Sequence, residues 1–326
     1  MRNDIAYQAA GWLLTDPDTL LLTGVYAENV TRAQHLALIE CELAEADVNK
    51  FVDLARRESL AASLSAATNG DLSRSTRWSR VYQPDGYGDE MRGVFSSGGA
   101  TWGHFCLTRL AEDPFFTDDE VAVMAKVCPH VGNAIRLCLQ LGGQPGHGAP
   151  GAPALVILAD DGSIESMTPQ VTEWLGPVEG ERMDSAIVLH EVAHQARVLA
   201  ERGVGEPALA RTRARSGDWL VVRAIRLERD GPGTGCTAVV LEQARRADVA
   251  PLLVQLRQLT HREKEITQLL VTGMSTREIA SRLWITSETL RGHIKAIFAK
   301  LGVNSRPALA ALLSQELVVR GPQPRA

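Results

Sequence analysis

Residues 259–307 carry the start signals of consecutive short helices, and this pattern constrains the fold more than any other part of the chain. Thr260 and Glu263 form a capping box, in which the hydroxyl and the carboxylate each bond a backbone amide at a helix start. Ser275 and Glu278 repeat the pattern one short helix later. The spacing therefore predicts short helices joined by tight turns.

The third of these helices is predicted to begin at Thr286 or Ser287 and to have one apolar and one basic face. Gly273 and Gly302 are predicted to end the first and the third helix. Trp284-Ile285 is predicted to form the turn before the third helix. The predicted buried positions are Leu290, Ile294, Ile297, Phe298 and Leu301. The opposite face consists of Ser287, Thr289, Arg291, His293, Lys295 and Lys300. A helix with an exposed cationic face can enter a DNA major groove, where it neutralises phosphates and donates to base edges.

The charge of the chain is distributed unevenly. Residues 257–306 contain nine Lys/Arg and four Glu with no Asp, a net charge of +5, whereas the whole chain carries −5, which leaves −10 for the remainder. A basic segment on an acidic body favours a nucleic acid as the partner of that segment. The alternative is a helical hairpin whose basic face is merely solvated.

The segment resembles the LuxR-type (NarL/FixJ-type) helix-turn-helix. The matching runs are LT-x-RE at 259–263, G-x-S-x-x-EIA at 273–280, IT-x-x-TLR-x-H at 285–293 and AKLGVNSR at 299–306. The resemblance implies that the third helix is a recognition helix that reads double-stranded DNA. The base-facing positions that it implies are Arg291, Gly292 and Lys295, and the phosphate-facing positions are Ser287, Thr289, Lys300 and Arg306.

The same resemblance implies a homodimer formed through a fourth helix. Its expected interface residues are Pro307, Leu309, Leu312 and Leu313. Gly292 departs from the family pattern, since that position usually holds a side chain, and glycine costs a helix up to about 1 kcal/mol. We therefore expect specificity to rest on Arg291, Lys295 and DNA shape.

The chain as a whole is predicted to be a multidomain α+β protein. Two mixed α/β domains precede the all-α, four-helix domain. A Gly/Pro-rich linker at 142–153 separates residues 1–141 from residues 154–246, and a connecting helix at 247–258 leads into the helical domain at 259–320. The connecting helix has an apolar stripe of Val249, Leu252, Leu253, Leu256 and Leu259, which predicts packing on a neighbouring domain or pairing with a second copy.

Residues 1–141 are predicted to contain helices at 33–43 and 48–64 and strands at 90–95 and 101–110, followed by a long helix capped by Thr117. The runs GDEMRGVF, ATWGHFCLTR and FFTDDEVAVMAKVCPHVGNAIR resemble the end of a GAF-type sensor domain. His104 lies in one of these strands, where a hydrogen-bonded core histidine is expected in preference to a haem ligand.

Residues 154–246 are predicted to fold as strand, strand, helices and three antiparallel strands. The predicted strands begin at residues 154, 164, 208, 219 and 236, and the helices cover 172–175 and 185–201. LVILADDGSIESMTPQVTEWLG resembles the opening of a PAS domain. A sensor role for both domains follows from these two resemblances.

One motif points to a different class of function. His190, Glu191 and His194 match H-E-x-x-H on a predicted helix, the pattern of a zinc hydrolase with two ligands one turn apart. No third ligand has a supporting pattern, so we expect no metal site, with His190 and His194 on a solvated or partly packed helix. A zinc-dependent hydrolase nevertheless remains the alternative hypothesis.

The sequence as a whole predicts a transcription regulator that is not an enzyme and needs no cofactor. No run of eighteen apolar residues occurs and the N-terminus lacks the order of a signal peptide, so we expect a cytoplasmic protein without a membrane partner. Besides DNA and a second copy, the candidate partners are RNA polymerase and a small-molecule effector, whose binding residues have no recognisable pattern.

Overall fold

A computed structural model describes residues 5–141, 152–178, 186–227, 235–245, 248–249, 252, 255–256 and 259–313. The described residues divide into two compact units. The first unit lies within Met1–Cys138 and Gly142–Gln243, and the second within Leu139–Leu141 and Ala244–Ala326. Among the described helices, none has the length and apolarity that crossing a bilayer requires.

The first sheet of the first unit has five antiparallel strands in the order β2-β1-β5-β4-β3. Its strands are β1 (Ala9–Thr15), β2 (Leu22–Glu28), β3 (Ala61–Ser63), β4 (Tyr87–Ser97) and β5 (Ala100–Leu110). The accompanying helices are α1 (Arg32–Ala44), α2 (Phe51–Leu54), α3 (Leu64–Thr68) and α4 (Asp118–Leu141). The strands predicted around residues 90–95 and 101–110 are confirmed, and the observed strands are longer.

Helix α4 covers one face of this sheet. Thr117 accepts from the Glu120 amide at 3.3 Å, so the predicted start of the helix is confirmed. A Cβ on Gly132 would lie 2.8 Å from the backbone of Phe95, so glycine permits the close approach of the helix to β4. The core beneath α4 contains Met91, Phe95, Phe105, Leu107 and Phe116.

The helix predicted at 48–64 is wrong. Only Phe51–Leu54 and Leu64, the first residue of α3, are helical there, and Ala61–Ser63 forms an edge strand in which Ala61 pairs with Gly93 and Ser63 pairs with Met91. Pairing with β4 buries Ala61 and Ser63, and this tertiary contact overrides the local helical preference of alanine. Strands β1 and β2 were not predicted.

The second sheet has the strand order β7-β6-β10-β9-β8, which repeats the order of the first sheet. Its elements are β6 (Ala154–Ala159), β7 (Ile164–Met167), α5 (Pro169–Leu175), α6 (Ile187–Glu201), β8 (Ala208–Arg213), β9 (Trp219–Leu227) and β10 (Cys236–Gln243). The predicted order of strands and helices is confirmed. Helix α6 packs on β8, β9 and β10.

The two sheets belong to one compact unit because α6 also packs against α1 and β2. Arg211 on β8 donates to the carboxylates of Asp16 and Asp18 at 3.1 and 2.9 Å, and Thr212 donates to the Thr23 carbonyl at 3.2 Å. Helix α6 is consequently enclosed on two sides.

Residues 259–313 of the second unit form four helices, as predicted. They are α7 (His261–Val271), α8 (Thr276–Arg282), α9 (Ser287–Leu301) and α10 (Arg306–Leu313). Their common core includes Ile266, Leu270, Ile279, Leu290, Ile297 and Leu309. In the connecting segment, Val249, Leu252, Leu256 and Leu259 are buried, and the other predicted stripe residue, Leu253, lies outside the described residues.

Candidate nucleic-acid interface

Both predicted capping boxes are present in the second unit. At α7, the Glu263 amide donates to Thr260 Oγ1 at 3.2 Å and the Thr260 amide donates to Glu263 Oε2 at 2.7 Å. At α8, the corresponding distances between Ser275 and Glu278 are 3.3 and 2.7 Å. These bonds satisfy amides that have no partner within their helices and fix where each helix begins.

The turn between α8 and α9 sets the direction of α9. Trp284 has a φ of 54°, and the Ile285 amide donates to the Ala280 carbonyl at 3.0 Å. Thr286 caps α9 by accepting from the Thr289 amide at 3.1 Å. The Trp284 side chain is 94% exposed, so the turn holds a large apolar group in solvent at the N-terminal end of α9.

Helix α9 has the two faces that the sequence predicts. Leu290, Ile297 and Leu301 are buried, while Ile294 and Phe298 are partly buried against the same core. On the opposite face, Ser287, Thr289, Arg291 and Lys295 are exposed, while His293 and Lys300 are half-buried.

Arg291 and Lys295 stand one helical turn apart, with Gly292 beside them. Arg291 forms a 3.0 Å ion pair with Glu288 of the same helix, but its side chain remains 73% exposed. A Cβ on Gly292 would meet no atom within 4 Å, so packing within the domain does not require glycine there. The three predicted base-facing positions therefore share one accessible surface.

The four predicted phosphate-facing residues divide into two pairs. Ser287 and Thr289 lie exposed in the first turn of α9, where free amides and the helix dipole favour an anion. Lys300, in contrast, donates to Glu263 Oε2 at 2.6 Å. Arg306 donates to the Leu270 carbonyl at 3.0 Å and to the Met274 carbonyl, so it holds the end of α7.

Glu263 is buried, and this burial raises the pKa of its carboxyl. The hydrogen bonds from Lys300 and from the Thr260 capping box outweigh this effect and hold that pKa below its ordinary value. The carboxylate of the first capping box is thus tied to the C-terminal part of α9.

The predicted dimer residues on α10 have different surroundings. Leu309 is fully buried in the core of its own domain, Leu312 is half-buried against that core, and Pro307 is exposed. The side chain of Leu313 lies outside the described residues.

Sequence reasoning did not single out Arg277 and Arg282 on α8, which are exposed in the same domain. Their positions at the start and end of a short helix next to the turn would have been the available signal. Together with Arg291 and Lys295, they make four exposed cations on α8 and α9.

The surroundings of the H-E-x-x-H motif do not fit a zinc site. Arg32 donates to His190 Nε2 at 3.0 Å, and Arg197 donates to His194 Nδ1. A guanidinium therefore occupies one ring nitrogen of each histidine, and its charge opposes a second cation. No cluster of three potential metal-ligating side chains occurs in the part of the chain that the structure describes.

The expectation of a solvated or partly packed helix at this motif was wrong. His190, Glu191 and His194 are 4%, 2% and 8% exposed, because α6 is enclosed by α1, β2 and its own sheet. Burial, with the nearby arginines, lowers the pKa of His190 and His194 to about 4.

The second unit matches a known family. Residues 257–313 match the family described as bacterial regulatory proteins, luxR family. The chain is 50% identical over 48 residues to the spore germination protein GerE of Bacillus subtilis, which covers 15% of this chain and 65% of that protein. It is 35% identical over 79 residues to the nitrate/nitrite response regulator protein NarL of Escherichia coli, covering 24% of this chain and 37% of that protein.

The chain thus spans less than two thirds of the length of these two relatives. Among solved structures, the phage VqmA-DPO complex is 17% identical over 56% of this chain and 87% of that chain, with a TM-score of 0.30. A TM-score this low does not assign a common fold. Residues 257–313 are therefore a helix-turn-helix domain of the luxR family of bacterial regulatory proteins.

Proposed function

We propose that this chain is a DNA-binding transcription regulator in which α9 reads the major groove and the first unit controls the binding. The observation that carries the proposal is the exposed surface of Arg291, Gly292 and Lys295 on the third helix of a luxR-family domain. Arginine and lysine can donate to O6 and N7 of guanine, the commonest specific contact in the major groove.

The phosphate contacts follow from the same docking. Ser287 and Thr289 would meet the backbone at the N-terminal end of α9, where the free amides also point. Lys300 bonds Glu263 and Arg306 bonds the end of α7, so any phosphate contact by these two residues would come from groups that also hold the domain together. Their first task is to position the helices that carry the interface.

A dimer through α10 would place two α9 helices on half-sites roughly one helical turn of DNA apart. Of the predicted dimer residues whose side chains are described, Pro307 and Leu312 retain exposed surface for such a contact. Sedimentation of the full chain tests this step, because a monomer on and off DNA would remove it.

The first unit is proposed to be the sensor, with one GAF-like and one PAS-like domain. The order β6, β7, α5, α6, β8, β9 and β10 agrees with the element order of a PAS domain, and the hairpin β4–β5 followed by α4 agrees with the end of a GAF domain. A ligand that binds one arrangement of this unit more tightly than another would shift the population of DNA-binding states.

The proposal is tested with the full chain and sheared genomic DNA from its source, followed by sequencing of the bound fragments. We expect discrete sites to be enriched, and binding to an enriched duplex to weaken linearly with salt on a log–log plot. Lys295→Ala should weaken binding to the enriched duplex by about 1–3 kcal/mol and should also lower the salt slope, because it removes a cation from the interface. Lys126→Ala removes an exposed cation from α4 and serves as the charge-matched control. Absence of any enriched fragment would refute the proposed function.

A further inference from the structure

The first unit contains a cavity of about 340 Å³ on the face of the first sheet opposite α4. Strands β1, β4 and β5 form its floor, and α1 and the segment around Phe51 form its walls. Ile187, Glu191 and Gln195 of α6 complete the lining, although α6 packs on the second sheet. The volume lies in the range of small-molecule sites, ~300–1,000 Å³.

The floor of this cavity is unusually polar for a buried sheet face. Side chains alternate along a strand, so Met91, Phe95, Phe105 and Leu107 face α4, while Arg92, His104 and Cys106 at the adjacent positions face the cavity side. The polar residues of β4 and β5 that line the cavity include Arg92, His104, Cys106 and Thr108. Of these, Arg92, His104 and Thr108 are less than 5% exposed.

Two of the lining side chains have hydrogen-bonding capacity that the protein does not use. His104 is 1% exposed, and neither of its ring nitrogens has a partner among the described residues. Glu191 is 2% exposed, and its Oε2 likewise has no partner in the described part of the chain. Leaving such groups unsatisfied carries a desolvation cost, which a bound molecule would recover.

The buried charges at the cavity are already neutralised. Arg92 pairs with Glu42 at 2.8 Å and with Glu90 at 3.1 Å. Burial and the neighbouring Arg92 lower the pKa of His104 to about 3, so its imidazole is neutral and offers one donor and one acceptor. Burial and the nearby Glu42 raise the pKa of Glu191, which favours the uncharged carboxyl. A charged guest placed against these buried groups would lose its hydration without gaining a counter-charge from them.

We propose that this cavity binds a small uncharged organic molecule that carries both a hydrogen-bond donor and an acceptor, which pair with His104 and Glu191. His104 lies on a strand of the first sheet, and Glu191 lies on α6, the helix that packs on the second sheet. One guest therefore bonds the first sheet and the helix that covers the second sheet. The regulatory meaning of this contact rests on the proposed function, in which the first unit controls DNA binding.

The test uses four compounds of similar size and different charge. Benzamide and nicotinamide are neutral and carry a donor and an acceptor, benzoate is anionic, and benzamidinium is cationic. Binding of each to the full chain is measured by saturation-transfer NMR titration in the absence of DNA, so a failure of the DNA-binding proposal does not affect the result. We expect at least one neutral amide to bind at least tenfold more tightly than both charged compounds.

Three variants assign that binding to the cavity. His104→Leu should weaken binding of the neutral amide at least tenfold, while Glu191→Gln, which keeps an uncharged donor and acceptor, should leave it within about threefold. His130→Leu changes an exposed histidine on α4 and should have no effect. Circular dichroism of each variant reports the fold, and if His104→Leu does not fold, Glu191→Leu provides the same tenfold test.

Three results would overturn the proposal. They are binding by neither neutral amide, equal binding of the charged compounds, and full-strength binding in a folded variant that lacks the His104 or Glu191 polar group.

Discussion

The ammonium group of Lys300 lies 2.6 Å from Oε2 of Glu263, so a residue predicted to bind phosphate already has an acidic partner in its own domain. The contact joins the end of α9 to the capping box that begins α7. Lys300 therefore helps to hold the recognition helix in place, whatever contact it makes with DNA.

Lys300→Ala should lower the free energy of unfolding by about 1 kcal/mol, since the nearly buried Glu263 loses its partner while the lysine itself is partly solvent-screened. It should change the salt slope of DNA binding less than Lys295→Ala does, because its charge is already neutralised. Urea unfolding and salt titrations of the two variants check this. A larger slope change for Lys300→Ala would instead favour a direct phosphate contact.

Gly292→Ala should raise the free energy of unfolding by roughly 0.5–1 kcal/mol, because alanine restricts the unfolded chain and the added Cβ meets open space. DNA affinity then reports how closely the backbone approaches the groove. A loss of affinity in the stabilised variant would indicate that glycine is needed for that approach. A destabilised variant would contradict the accessibility of this position.

Trp284→Asn should stabilise the second unit by up to ~1 kcal/mol, since asparagine tolerates a φ of 54° better than tryptophan does. The side chain is 94% exposed, so little packing is lost. Thermal unfolding of the full chain measures the effect on the transition of this unit. A drop in the midpoint would mean that Trp284 contributes packing that outweighs the strain.

The burial of the histidines on α6 makes the free energy of unfolding depend on pH. The folded-state pKa of His190 is lowered to about 4 by burial and by Arg32, below the unfolded value of about 6.5. The folded state therefore holds fewer protons, so the stabilisation is complete above about pH 6.5 and is lost as the pH falls towards 4. The loss for His190 between pH 7 and pH 5 is about 2 kcal/mol.

Glu191 acts in the opposite direction, because its raised pKa makes its contribution greatest below about pH 4.3 and progressively lost above it. The decisive comparison is therefore between wild type and His190→Gln. Between pH 7 and pH 5, wild type should lose about 2 kcal/mol more than the variant in urea unfolding. His130→Gln, an exposed control, should parallel wild type. Parallel curves for His190→Gln would contradict the assignment.

The helix-turn-helix unit was predictable because its signals are local. The two capping boxes, the glycines at 273 and 302 and the apolar stripe of α9 each act within one helical turn, and the structure contains all of them. Strand β1 was missed because it is largely buried on both faces and lacks the alternation that identifies a half-buried strand.

The surroundings of His104, Glu191 and His190 could not be predicted in the same way. Local sequence gives their helix or strand, but their burial depends on the packing of α6 against α1 and β2. H-E-x-x-H predicts that two histidines share a helix face, and His190 and His194 do line one small cavity. Glu191, one residue on, faces the larger cavity in the first unit. His104 was expected to be hydrogen-bonded, and that expectation was wrong among the described residues.

Base reading by Arg291 and Lys295 is the step on which the proposed function depends. In vitro selection of randomised duplex DNA by full-length wild type, Arg291→Ala and Lys295→Ala measures it most directly, with Lys126→Ala as the control. We expect a defined site for wild type and the control, and a loss of discrimination of about 1–3 kcal/mol at particular base pairs in each α9 variant. Unchanged base preferences in both α9 variants would contradict the claim.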